Sequence, residues 1–356
     1  MIEVPTSTAS ITADWLTRAL KSNGHLAGTV TDVVLEPIGA GVGLMAELGR
    51  LRLTYAGDED LPDTMIAKCA AQNENIQVAQ VLDFYNREVN FYNRVGSDCL
   101  LNVPDSYYGD VNQETYNQIL LMEDLGDVSP RDQIVGASAE EAESAVNRIA
   151  AMHARYWNKV GDATWMYDFM SVPEAEKLRS MVYMPALEPA IEKFGSFFDA
   201  TSKDLVRRVG ANYQHVWVDQ LTPNETFIHG DYRQDNMLYQ GDSLDAKVMD
   251  WQISGRGKGI FDVTYFMCQS LPSSLRKDVE QDLLKGYVKR LNDAGVAYTF
   301  DQCWHDYRVL LLGCLIYPIT VCGTLDTANE RGRLLGECML ERNLTAIDEL
   351  GCGEFV

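Results

Sequence analysis

The feature that most limits the fold is a change of pattern at Gly126. Before it, apolar residues fall in short runs bounded by Gly, Asp and Asn, the mark of strands. After it they recur at helical spacing over long stretches. "VTDVVLEPIGAGVGLMAELGRLRLTYAG" reads as two strands around a glycine-rich turn, and "DTMIAKCAA", "VPDSYYGDV" and "YNQILLMEDLG" as three more. "ITADWLTRALKSNG" is a helix with Thr12 as N-cap and Gly24 as terminator. The spacing of Val81, Phe84, Tyr85, Val89 and Tyr92 predicts one helix over 77–95. Beyond Gly126, "SAEEAESAVNRIAAMHARYW" carries its acidic residues in the first turns, as the helix dipole favours. Further helical stretches fall at about 173–220, 273–294, 301–322 and 327–350. A strand-rich part of about 125 residues ahead of a helix-rich one of about 230 predicts an α+β chain in two lobes with a cleft between them.

The bulk numbers exclude more than they assign. The chain is 46% hydrophobic and 23% charged, which is a globular and not a disordered composition. Its net charge of −22 argues against nucleic acid or an anionic membrane as partner. The acid excess is spread evenly: residues 1–125 hold 7 Lys/Arg against 18 Asp/Glu, and residues 126–356 hold 23 against 34, a net −11 each. That spread points to solubility and names no ligand. Val309 to Gly323 is the longest uncharged stretch, but its 15 residues fall short of the ~20 that span a bilayer, and Pro318 interrupts it. A buried helix is expected there. Eight cysteines lie scattered without a C-x-x-C pair, so free thiols and no zinc site are expected. With no basic, apolar start at the N-terminus, the expectation is a cytoplasmic protein.

Three groups of residues carry chemistry. Gly39, Gly41 and Gly43 in "PIGAGVGLM" would let backbone N–H groups approach a phosphate, although a glycine hairpin is often only a hairpin. Lys68, set among apolar residues in "MIAKCAA", is either a surface-edge lysine or a half-buried cation in need of a partner. Glu88 on the following helix is the natural one, with Glu74 as rival. Then comes "FIHGDYRQDNMLY". Asp231, Asn236 five residues on, and Asp250 fourteen after that supply what phosphoryl transfer needs. One carboxylate orients an attacking hydroxyl and accepts its proton, while an amide oxygen and a second carboxylate hold Mg²⁺ against nucleotide phosphates.

At these residues the chain resembles the aminoglycoside/choline phosphotransferases, small-molecule kinases of the protein-kinase-like fold. "HGDYRQDN" is similar to their H-G-D-x-x-x-x-N loop. "TADWLTRAL", "VMDWQ" and "GKGIFDVTYFM" look closest to the ecdysteroid-kinase-like branch. The resemblance covers nearly the whole chain and implies a bilobal fold. Residues 1–122 would form a nucleotide-binding lobe with an antiparallel sheet and a helix, 123–126 a hinge, and 127–356 a mostly helical catalytic and substrate lobe. It implies ATP and Mg²⁺ as cofactors, with Asp231 as catalytic base and Asn236 and Asp250 as metal ligands. Lys68 would grip the phosphates, Glu88 would orient Lys68, and Met122, Glu123 and Leu125 would receive adenine. Arg233 stands where protein kinases place a phosphate-contacting lysine; a salt bridge to Asp235 or Glu225 is the alternative. His229 is expected to shape the loop, His153 to pack near it and Asp262 to buttress it. Trp251-Gln252 departs from the Phe-Gly that follows the metal aspartate in protein kinases, and the glycine loop lacks a Ser or Thr.

Only 11 residues separate Asp250 from Asp262, and no A-P-E motif follows, too little for the roughly 20 to 30 residues of a peptide-docking activation segment. The expected partner is therefore a small molecule with a hydroxyl. The branch resemblance leans toward a partly apolar or steroid-like alcohol; an aminoglycoside, amino alcohol, sugar or hydroxyacyl thioester is the alternative. Tyr167, Phe169, Tyr183, Phe197, Tyr213 and Trp217 would either line its pocket or belong to the core. Two rival readings remain. One is a catalytically silent nucleotide-binding pseudokinase. The other is a hydrolase using Asp231 and Asp250, which explains neither Lys68 nor the glycine loop. Oligomeric state has no signature in the sequence.

Overall fold

A computed structural model describes residues 2–38, 45–57, 59–73, 75–126, 128, 131–324 and 329–356, with Asn75 by its backbone alone. Gly39, Gly41, Gly43 and Glu74 lie outside the described residues. The chain divides into two compact units, Met1–Val128 with Val248–Ile253, and Ser129–Lys247 with Ser254–Val356.

The first unit is built on an antiparallel sheet. Its strands β1 (Thr29–Ile38), β2 (Ala46–Ala56), β3 (Thr64–Ala70), β4 (Ser106–Val111) and β5 (Gln118–Glu123) stand in the order β1-β2-β3-β5-β4. Helix α1 (Ala13–Ser22) starts where the Thr12 hydroxyl accepts the Trp15 N–H at 3.2 Å, and Gly24 follows it at φ +75°. Period-two alternation on β3 sorts its side chains. Met65, Ala67 and Cys69 are buried in one cluster with Trp15, Leu16 and Leu20 of α1. Lys68 and Ala70 face the other way, and Ala70 packs with Tyr85 and Val89.

The helix expected over 77–95 is two. Helix α2 (Asn75–Val81) stops and α3 (Phe84–Arg94) begins after Asp83, which sits in the left-handed region at φ 58°. The break turns the helix axis out of phase, so Val81 is exposed while Tyr85, Val89 and Tyr92 remain buried. Apolar spacing alone could not show it, because a left-handed aspartate leaves that spacing intact. The segment Val248–Ile253 joins this unit from far along the chain. Val248 N–H bonds the Asn102 carbonyl at 2.8 Å, and the fully buried Trp251 ring stacks on Phe91 of α3 at 3.6 Å between centroids.

The second unit is helical. Helix α4 (Ala139–Tyr156) opens on a capping box in which the Ser138 hydroxyl accepts the Glu141 N–H and Glu141 accepts the Ser138 N–H. The long pattern expected over 173–220 is divided: α5 (Val172–Leu178) runs through the π-helical turn Arg179–Tyr183 into α6 (Met184–Lys193), α7 (Ala200–Ala211) follows a break, and a second π-helical turn, His215–Asp219, comes after it. Helix α8 (Gly259–Ser270) is buried along its whole length, which fits its near-absence of charge. Helices α9 (Ser273–Asp293), α10 (Phe300–Gly313), α11 (Ile316–Thr324) and α12 (Glu330–Glu349) complete it. Phe300–Thr324 is long and apolar enough by composition to cross a membrane, but it is broken before Pro318, and 67% of its most apolar window is buried inside the protein. All eight cysteines are free thiols, seven of them buried.

Candidate functional site

In the first unit Lys68 is the focus. Its strand, β3, is internal, with Leu48 of β2 and Leu120 of β5 opposite, so an edge lysine is ruled out. Its ammonium donates to Glu88 Oε1 at 2.7 Å and to Asp250 Oδ1 at 3.3 Å. The Glu88 carboxylate is 1% exposed and the Lys68 side chain 12%. Burial by itself would lower the lysine pKa, but the carboxylates of Asp250 and Glu88 outweigh it and hold the amine above its ordinary range. Burial pushes the Glu88 carboxyl up, and Lys68 opposes that. A buried pair of this kind is weak evidence for stability, since desolvation consumes most of its attraction.

Asp250 follows Val248 and Met249 into this unit with a φ of 62°. The left-handed region is open to aspartate at a cost of order 1 kcal/mol, and such backbone gathers at functional sites. Its carboxylate is 42% exposed, so it can reach a further ligand. Along the expected nucleobase edge, Met122 is buried in β5 opposite Ile66, and the Glu123 N–H bonds the Asp105 carbonyl at 2.8 Å. Leu125 is half-buried. Arg50 forks onto Asp124 at 2.7 and 3.2 Å and also donates to the Gly126 carbonyl, fixing this turn.

In the second unit the strand Thr226–Ile228 pairs antiparallel with Gly255–Gly257 and delivers the loop that begins at His229. The fully buried Asp262 of α8 receives that loop. Its Oδ2 accepts the His229 N–H at 2.7 Å and its Oδ1 the Gly230 N–H at 2.9 Å. His153 Nε2 lies 3.2 Å from the same carboxylate and Nδ1 lies 2.9 Å from the Tyr287 hydroxyl. A carboxylate can only accept, which fixes the proton on Nε2 and leaves Nδ1 to accept from Tyr287. His229 Nδ1 accepts the Asp231 N–H at 3.1 Å. The histidines and Asp262 thus shape the loop from beneath.

The side chain of Asp231 is 13% exposed and held on two sides. Arg233 Nε donates to both its oxygens, at 3.1 and 3.3 Å. Asn236 Nδ2 donates to Oδ2 at 2.9 Å and to the Asp231 carbonyl at 2.8 Å, and its amide oxygen takes part in neither bond. Arg233 also donates to Asp235 at 3.2 Å, the salt bridge weighed from the sequence. Burial would lower the Arg233 pKa, but Asp231 and its neighbours raise it. Two tyrosines given no role from the sequence stand here, Tyr265 inside "GKGIFDVTYFM" and Tyr317 outside every motif. The Tyr317 hydroxyl donates to the Gly230 carbonyl, and its ring lies 4.2 Å from that of Tyr265. Asp262, three residues earlier, was the signal that could have found Tyr265, whereas Tyr317 had none. Of the expected pocket aromatics, Phe169, Tyr183, Tyr213 and Trp217 are buried and packed on one another, as a core would be.

Each expected ligand, taken in its own unit, carries a hard oxygen of the kind magnesium takes: the Asp250 carboxylate in the first and the Asn236 amide oxygen in the second. Among the described residues no group of three or more His, Cys, Asp or Glu forms a metal cage, and an ion completed by water and substrate phosphates does not need one.

The sheet order, with its lysine–glutamate pair, and the helical second unit define an α+β protein-kinase-like fold. Solved structures share it. A choline kinase from Cryptosporidium parvum Iowa II aligns over 90% of this chain and 91% of its own at a TM-score of 0.54 and 11% identity. An aminoglycoside phosphotransferase, APH(2")-IIIa, solved with GDP and kanamycin, aligns over 92% and 98% at 0.53 and 13%. Amicoumacin kinase hAmiN, solved with AMP-PNP and Ca²⁺, aligns over 87% of each chain at 0.50 and 12%. At such identities the likeness is one of fold. The family follows from sequence: the model of the ecdysteroid kinase-like family matches residues 41–296, and the chain belongs to that family. No curated protein matches it.

Proposed function

We propose that the protein is an ATP- and Mg²⁺-dependent phosphotransferase that moves the γ-phosphate to a hydroxyl of a small molecule, and that a partly apolar or steroid-like alcohol is the acceptor class. The observation that carries this reading is the buried Lys68 on an internal strand, bonded to Glu88 and to an Asp250 in left-handed backbone. A hydrolase would have no use for that arrangement. In this reading Lys68 binds the nucleotide phosphates, and Asn236 and Asp250 hold Mg²⁺, which would neutralise charge on the phosphoryl oxygens. Asp231 orients the acceptor hydroxyl and takes its proton as the new O–P bond forms and the bond to ADP breaks. Arg233 and Asn236 keep the Asp231 carboxylate in one orientation. Gly39, Gly41 and Gly43 would add backbone donors, and Met122, Glu123 and Leu125 would receive the base.

A small acceptor is supported by the chain between Asp250 and α8. It holds only a short turn at Trp251–Ile253 and the strand Gly255–Gly257, with no room for a peptide platform. The eight free thiols suit a reducing cytoplasm. The test is a screen of hydroxyl compounds for stimulated ADP release, read by mass spectrometry for a phosphate-sized gain. Asp231→Asn should lower turnover by about 10²- to 10⁴-fold with ATP affinity preserved. Equal turnover in that variant would remove Asp231 from its role. ATP binding without turnover on any acceptor would favour the silent module.

A further inference from the structure

We propose that the segment 132–137 is a bracket for the loop that carries Asp231, and that Gln133 is a positioning residue that acts on Asp231 through Arg233. The inference rests on the phosphotransfer reading for its catalytic consequence, but the bracket itself is a matter of geometry.

A proton-accepting carboxylate must keep one orientation, and Arg233, with its long flexible side chain, is a poor clamp unless something fixes its far end. Gln133 does so. Its Oε1 accepts from Arg233 Nη1 at 2.6 Å, closer than the 3.2 Å contact of the same nitrogen with Asp235. Gln133 is fully buried, and its backbone is tied at both ends. Its N–H donates to Asp235 Oδ1 at 3.0 Å, and its carbonyl accepts from Arg342 of α12 at 2.8 Å. Arg342, 4% exposed, also donates to the carbonyls of Ile134 and Gln269, at 2.9 and 2.7 Å, and so staples the segment to the end of α8. The path depends on Gly136, at φ +90°, where an added Cβ would stand 2.8 Å from Pro272 Cδ and 3.0 Å from the Ser270 carbonyl.

The choice of an amide is informative. Among the described residues Gln133 Nε2 is buried without a hydrogen-bond partner, a cost that a residue kept only for packing would not incur. The side chain is there for its oxygen. A glutamate would set a third carboxylate beside Asp231 and Asp235 to compete for the same guanidinium, whereas a neutral acceptor holds Arg233 and leaves its charge to Asp231.

The test uses Gln133→Met, which keeps the length of the side chain, with Gln133→Ala as a second variant. Gln133→Met should lower kcat about 10- to 100-fold with the KM for ATP within about threefold. In an Arg233→Lys background the same change should add less than about a further twofold, because the effect runs through Arg233. Equal losses in both backgrounds, or an unchanged kcat, would overturn the positioning role. A second readout needs no acceptor. With arginine labelled by ¹⁵N, the wild type should show a protected Arg233 Nε–H signal, assigned by its loss in Arg233→Lys, that exchanges at least about tenfold faster in Gln133→Met. Unchanged exchange would overturn the bracket, while faster exchange in a protein without turnover on any acceptor would uphold it and count against the phosphotransfer reading instead.

Discussion

Asp262→Asn should separate the support of the loop from its chemistry. The carboxylate accepts three hydrogen bonds and is wholly buried. An asparagine of the same shape has one acceptor oxygen. In its better orientation that oxygen keeps the His229 N–H and His153, and the amide nitrogen then faces the Gly230 N–H, donor against donor. The orphaned N–H costs about 1–3 kcal/mol. The two surviving bonds lose their charge assistance, about half of the 1.5–3 kcal/mol that each is worth. Together these give a loss of about 2.5–6 kcal/mol, a large share of the 5–15 kcal/mol typical of a folded domain. Urea unfolding followed by tryptophan fluorescence measures it, and turnover measured well below the transition should fall too, because Gly230 directly precedes Asp231. A loss below about 1 kcal/mol with turnover unchanged would refute the reasoning, since no unsatisfied N–H of that kind would then have been created.

Asp250→Ala should weaken Mg²⁺-dependent ATP binding by more than about tenfold, because even outer-shell partners of metal ligands are worth that much; titration calorimetry with and without Mg²⁺ reads it, and equal affinities would contradict the ligand assignment. Trp251→Ala should destabilise by about 3–5 kcal/mol through the cavity left against Phe91, and a loss under 1 kcal/mol by denaturant unfolding would show that the ring adds little to its unit. Lys258 is buried with its ammonium on the carbonyls of Thr222 and Asn224, and burial lowers its pKa from 10.5 to about 8 against the pull of Asp306 and Glu225. Between those values the unfolded chain binds more protons than the folded one, so this site adds stability as pH rises from about 8 to 10.5 and none of that gain is present below 8. The stability difference between wild type and Lys258→Met should grow by up to about 3 kcal/mol over that window, and a flat difference would count against the depressed value.

The local grammar of the chain was legible before any tertiary contact was known. Thr12 caps its helix because a hydroxyl beside a helix start satisfies N–H groups within three residues, and that pattern is written in adjacent letters. The strands of the first unit followed from short apolar runs bounded by turn residues, whereas the hydrogen bond by which Asn236 holds Asp231 was not read from their spacing of five. Pairing of Lys68 with Glu88 was legible too, since a strand lysine among apolar neighbours needs an acid and one stood on the next helix. Other features had no local signature. Asp83 interrupts a helix whose apolar spacing runs on unbroken, and the capture of Val248–Ile253 by the first unit depends on a ring stacking across 160 residues of chain from Phe91 to Trp251. The sequence by itself determined where strands give way to helices and which residue types meet in the loop, not where every helix breaks. Only the tertiary structure decided that Gln133 and Arg342 hold Arg233, because hydrogen bonds between segments 100 and 209 residues apart depend on where packing brings the backbone, and no spacing in the chain encodes that.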